Sequence, residues 1–99
     1  MAVQDVWLAR YDGSDIVRAD AVVGVSRDYN GNITLHLVGS RGAAVTLVAP
    51  GPDGGPHTPE DFHRRLLQVV AGLAGTTEPT LVRPVTNESG GWQWTTEPL

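Results

Sequence analysis

The sequence predicts an α+β fold, in which an antiparallel β-sheet of about five to six strands, roll-like or barrel-like, packs against one α-helix near residues 59–74. Short segments rich in β-branched residues alternate with turn residues, as in sheets built from hairpins. Only one segment shows apolar residues at helical spacing. One amphipathic helix on one face of an antiparallel sheet is the simplest way to bury both apolar surfaces. The 99 residues fit a single domain, 1–99.

The first half of the chain contains the predicted strands 3–11, 16–19, 21–25, 33–37 and 43–49. The first of them has apolar residues on both faces, which is typical of a strand covered on both sides. A bulge or bend is expected at Asp20 or Gly24. Asn30-Gly31 predicts a tight type I′ hairpin turn, because both residue types tolerate positive φ. The strand that follows alternates strictly, which predicts one buried and one exposed face.

A loop rich in Gly and Pro, expected to be mobile, occupies residues 50–57 and leads to the helix. Thr58 is the expected N-cap, with Pro59 at the first helical position. Asp61 would complete an approximate capping box and pair with Arg65 one turn later. The apolar stripe that should face the sheet consists of Phe62, Leu66, Val69, Val70 and Leu73.

The chain ends in a predicted strand at 80–85 and a strand-bearing C-terminal tail at 87–99. Pro84 cannot donate a backbone hydrogen bond, so the first of these is expected at a sheet edge or a strand end. Trp92 and Trp94 would share one face of a last short strand. The final three residues are expected to fray.

Charge and composition exclude several classes of function. Seven basic residues against eleven acidic ones give a net charge of −4, and no cysteine is present. Disulfides and thiolate chemistry are therefore excluded. Neither half of the chain is basic, so we expect neither nucleic acid nor membrane as a partner. The first residues lack the pattern of a secretory signal, so the expected location is cytoplasmic.

No pattern in the sequence indicates catalysis. The three histidines do not occur at metal-ligand spacing, and no nucleophile or phosphate-loop motif is present. We therefore predict no catalytic residue, no metal site and no cofactor. Whether the chain is an enzyme stays open, and the lack of such motifs favours a non-catalytic protein.

The tryptophans carry the leading functional hypothesis. Exposed tryptophans bind peptides, sugars or another subunit, whereas buried ones would cap the protein's own core. We expect a small protein-interaction module, self-associating or a subunit of an assembly, such as an inhibitor, an immunity-type protein or a phage or secretion component. Its partner would be a protein, including a second copy of itself. The candidate interaction residues are Trp7, Leu81, Val85, Trp92 and Trp94.

The alternative hypothesis is a small enzyme or ligand-binding protein with a pocket between the helix and the sheet. His57, His63, Arg64 and Arg65 surround the expected start of the helix and would supply its polar groups.

Overall fold

The computed structural model describes residues 5–39, 43–49, 58–75 and 78–99. The expected loop at 50–57 lies outside them, as does the start of the predicted strand 3–11. The described chain contains seven strands, a short 3-10 helix at Ala19–Ala21 and one α-helix. The strands are β1 (Val6–Ala9), β2 (Ile16–Arg18), β3 (Val22–Arg27), β4 (Ile33–Leu37), β5 (Ala44–Val48), β6 (Thr80–Thr86) and β7 (Trp92–Pro98), and the helix is α1 (Phe62–Gly72).

The predicted α+β class is confirmed, with its strands divided between two sheets. The larger sheet has the order β2-β1-β6-β7 and the smaller one the order β3-β4-β5. All neighbouring strands are antiparallel except β1 and β6, which run parallel. Within the described residues, neither sheet closes into a barrel. The parallel pair brings the C-terminal hairpin beside β1, so these three strands belong to one sheet.

One hydrophobic core joins both sheets and the helix. The larger sheet contributes Val6, Leu8 and Val82, and α1 contributes Phe62 and Leu66. The smaller sheet contributes the buried residues Ile33, Leu35, Leu47 and Val48. The last two are consecutive, and ideal alternation would place them on opposite faces. A register irregularity between β4 and β5 accounts for this burial, because Ile33 pairs with Val48 while Thr34 pairs with Thr46.

The bend expected at Asp20 or Gly24 is present at both places. The 3-10 helix includes Asp20 and separates β2 from β3. The register of β3 against β4 then shifts between Val22 and Gly24.

The β3–β4 hairpin has a different turn from the predicted one. Gly31 does adopt positive φ, at 86°, but Asn30 does not, and a type I′ turn needs both. The Gly31 amide donates to the Asp28 carbonyl at 3.0 Å, which closes a turn that precedes the glycine. The Asp28 carboxylate accepts bonds from the Asn32 side chain and from the Asn32 and Asn30 amides. These bonds, those from Asn32 first, hold the pKa of Asp28 below its usual range.

The same turn design recurs in two further hairpins. In the β6–β7 turn, the Asn87 side-chain oxygen accepts bonds from the Ser89 hydroxyl and the Gly91 amide. After β1, the Asp12 carboxylate accepts bonds from the hydroxyl and amide of Ser14, which lower the pKa of Asp12. A short side chain with an oxygen acceptor therefore orders each of these turns.

The helix begins later than predicted, and Thr58 does not cap it. Asp61 occupies the N-cap position without a side-chain cap bond, so the expected capping box is wrong. Thr58 is instead only 2% exposed, and its hydroxyl donates to the Gly31 carbonyl at 2.8 Å. The same hydroxyl accepts from Arg27 Nε at 3.1 Å. Thr58 therefore joins the approach to the helix to the β3–β4 hairpin.

Of the two places expected for residues 80–85, a sheet edge or a strand end at Pro84, the sheet edge is wrong. Strand β6 lies between β1 and β7, yet it accommodates Pro84. The Asn87 amide donates to the Gly91 carbonyl, so Asn87 and Gly91 form a hydrogen-bonded pair. Hydrogen-bonded and non-hydrogen-bonded pairs alternate along the two strands, and this makes Pro84–Trp94 a non-hydrogen-bonded pair. The nitrogen of Pro84 therefore points towards the β1 side. The β1 register ends at Val82, so no ladder bond to β1 is lost.

Candidate interaction edge

Strand β7 is the long outer strand of the larger sheet. It pairs with β6 over its full length, from Trp92 opposite Thr86 to Pro98 opposite Thr80. The final residues were expected to fray, but the strand continues to Pro98. By the same alternation of pairs, the amides and carbonyls of Trp94 and Thr96 point away from β6. Neither amide has a hydrogen-bond partner among the described residues. This strand therefore presents backbone groups that a further strand could bind.

Trp94 fixes this edge to the start of α1. Its ring stacks on the Phe62 ring with centroids 4.5 Å apart and planes 14° apart. Its indole Nε1 donates to the Phe62 carbonyl oxygen at 2.9 Å. Phe62 is fully buried, so the contact connects β7 directly to the core. The strand is consequently held in position at the residue that offers an outward amide.

Trp92 lies on the same inner face, next to the Asn87–Gly91 turn. Its ring meets Tyr11 edge-to-face, with centroids 6.2 Å apart and planes 85° apart. Both tryptophans are half-buried and pack against the core cluster. The prediction that they share one face is confirmed. The rings contact the protein's own core, as in the capping interpretation.

The remaining candidate interaction residues lie on the opposite face of this sheet. Trp7 pairs with Leu81, and Val85 lies four residues further along β6, so all three project to the outer face. All three are half-buried. The Arg18 guanidinium lies 5.6 Å from the centre of the Trp7 ring, within range of a cation–π interaction. The five predicted residues thus form two groups on two faces.

A shallow groove of about 360 Å³ separates α1 from the β7 edge. Its lining consists of Arg65, Gln68, Val69, Gln93 and Trp94. Arg65 makes the predicted ion pair with Asp61, at 3.0 Å, and both side chains are about half exposed. The groove places polar side chains next to the outward backbone groups of β7.

The polar set of the alternative hypothesis is only partly described, so its pocket stays a prediction. His63 is half-buried, and its Nδ1 has no hydrogen-bond partner among the described residues. Arg64 is exposed, and Arg65 lines the groove. His57 lies outside the described residues. In the part of the chain that the structure describes, no three histidine or acidic side chains form a group that could hold a metal.

A second cavity, of about 280 Å³, does lie between the helix and both sheets. Its described lining is entirely apolar: Leu8, Ala19, Val22, Val25, Leu35, Leu66, Leu67, Val70 and Ala71. This cavity lies between helix and sheet, as the alternative hypothesis predicts, but its described lining contains none of the predicted polar residues. The apolar stripe of the helix and the bend at residues 19–21 are the sequence features that could have predicted this apolar cavity.

Comparison of the chain with models of protein families, with curated proteins and with solved structures finds no match. Among the described residues, no helix has the length and apolar character needed to span a bilayer.

Proposed function

We propose that this protein is a non-catalytic interaction module that binds an extended segment of a partner protein along strand β7. The observation that carries the proposal is the outer position of this seven-residue strand, with the amides of Trp94 and Thr96 directed away from β6. Strand addition uses such groups for affinity and adjacent side-chain pockets for specificity.

Two features of the site favour strand addition. Trp94 holds the edge against α1, so little ordering of β7 is needed when a segment binds. The groove beside the edge provides Arg65 and Gln68 as partners for side chains of the bound segment. A carboxylate in that segment would find the Arg65 guanidinium, which is half exposed despite its pair with Asp61.

A proline substitution tests this proposal. Thr96→Pro removes an outward amide while leaving the ladder to β6 intact, and Pro84 and Pro98 already occupy equivalent positions in this hairpin. Thr96→Val is the matched control, because it retains the amide. Displayed peptide libraries would be selected on the wild-type protein, and the enriched peptides would be measured against both variants.

We expect enriched peptides to bind Thr96→Val with wild-type affinity and Thr96→Pro at least tenfold more weakly. They should also shift the NMR amide signals of Trp94 and Thr96. Failure to enrich any peptide on a chain that sediments as a monomer, or binding that is indifferent to Thr96→Pro in a folded variant, would contradict strand addition at this edge.

The apolar cavity favours a second candidate function, the binding of an aliphatic chain. Its lining offers burial of methylene groups, each worth about 0.8 kcal/mol, and no charge among the described residues. A medium-chain fatty acid should then raise the melting temperature of the wild-type protein. Val70→Phe, which fills the cavity, should remove that increase. An unchanged melting temperature for the wild type would exclude this candidate.

A further inference from the structure

We infer that the segment bound along β7 is strand β7 of a second copy of this chain, in antiparallel orientation, with a two-fold axis at Thr95. The inference rests on the proposed function and names its partner. The two larger sheets, of four strands each, would join into one sheet of eight. The two copies would use the same surface, as a two-fold dimer requires.

The length of β7 favours this register. The strand covers the seven residues Trp92–Pro98, with Thr95 at the centre. Full overlap of two copies places Trp94 opposite Thr96 of the second copy, and Thr96 opposite its Trp94. The backbone groups of these residues point outward, so each of these two pairs exchanges two N–H···O=C bonds. Full overlap therefore satisfies the outward amides that have no partner among the described residues.

The side chains of the outer face also agree with full overlap. Gln93 would face Glu97 of the second copy, so an amide that can donate a hydrogen bond meets a carboxylate. Two carboxylates directly opposite each other would be unfavourable, and the new pairing contains no such pair. Thr95 would face Thr95 of the second copy across the two-fold axis. Glu97 lies 3.5 Å from Arg83 of its own chain, which partly compensates its charge.

A second copy is favoured over another partner because the pairing closes on itself. Once the two β7 strands are paired, neither copy presents that edge to a further chain. The net charge of −4 on each copy opposes association. Salt screens this repulsion, so we expect dimerisation to strengthen with ionic strength.

Because the chain contains no cysteine, a single introduced cysteine can report the register. Thr95→Cys places two thiols opposite each other at a non-hydrogen-bonded pair, where side chains lie closest. Gln93→Cys is the matched control on the same face. In full overlap, the two residues at position 93 are separated by four residues along the strands, or about 13 Å, too far for a disulfide.

After mild oxidation, we expect Thr95→Cys to form disulfide-linked dimers at least tenfold faster than Gln93→Cys. Sedimentation of the cysteine-free wild type should show a dimer, and Thr96→Pro should convert it to a monomer that Thr96→Val does not reproduce. Equal or faster cross-linking of Gln93→Cys would overturn the register.

A wild type that stays monomeric at high protein and salt concentrations would overturn the dimer. That result leaves the proposed function to the peptide selection, which would still find segments that depend on the Thr96 amide. The failure of the dimer and the failure of strand addition are therefore separate outcomes.

Discussion

Replacement of Thr58 by valine removes one hydroxyl and conserves the shape of a buried side chain. That hydroxyl donates to the Gly31 carbonyl at 2.8 Å and accepts from Arg27 Nε at 3.1 Å. Both bonds join the chain before α1 to the β3–β4 hairpin. The variant would leave the carbonyl of Gly31, itself a buried residue, and Nε of Arg27 without this partner.

The expected cost follows from what each group retains. A buried group left without its hydrogen bond costs about 1–3 kcal/mol. Arg27 keeps its bonds to the Thr58 carbonyl, at 2.7 Å, and to the Asp28 carbonyl, at 3.3 Å, so its share lies at the low end. The two losses together amount to about 2–4 kcal/mol. For a chain of this length, that lowers the melting temperature by at least about 8 °C.

Thermal and urea denaturation of Thr58→Val and Thr58→Ser would measure this effect. Thr58→Ser keeps the hydroxyl and should lose less stability than the valine variant. If Thr58 were an ordinary N-cap, the valine substitution would leave the NMR amide signals of the β3–β4 hairpin unchanged. A valine variant that melts within about 2 °C of wild type would refute the reasoning, because that change corresponds to less than about 0.5 kcal/mol.

Three further stability predictions follow from the core and the turns. Leu66→Ala should cost about 2–5 kcal/mol in urea denaturation, since the side chain is fully buried, and a loss below about 1 kcal/mol would contradict its place in the core. Gly31→Val should lower the melting temperature more than Gly31→Asn, because asparagine tolerates positive φ, and equal losses would contradict the turn. The pKa of Asp28 is lowered, so its hydrogen bonds stabilise the fold fully above about pH 4–5 and are lost as the pH falls through that pKa. Asp28→Asn should therefore flatten the acid side of the profile of stability against pH, and NMR titration of the wild type would locate the midpoint of the Asp28 titration.

Features set by local sequence could be predicted. The alternation of residues 33–37 and the glycine at position 31 placed β4 and its turn, and the apolar stripe placed the buried face of α1. Each depends on residues close together in the chain, where strand period, helix period and backbone freedom act directly. The i,i+2 spacing of Trp92 and Trp94 likewise placed both rings on one face.

Features set by distant residues could not be predicted. Thr58 has the residue type and position of an N-cap, but the Gly31 carbonyl lies 27 residues away in sequence. Pro84 is typical of an edge strand, and only the end of the β1 register at Val82 explains its place in a central one. The same limit applies to the division into two sheets, because strand order depends on the parallel pairing of β1 with β6.

The candidate site shows this limit most directly, because its binding groups are backbone amides. Every residue but proline has such an amide, so no residue type marks an outer strand. Alanine substitution of Trp94 would remove its contacts with Phe62 and would report on folding, since these contacts lie on the inner face. Proline at position 96 removes an outward amide without removing a ladder bond to β6. A proline scan of β7 therefore separates effects on binding from effects on stability. Losses of binding affinity restricted to alternate positions would identify the edge as the binding surface.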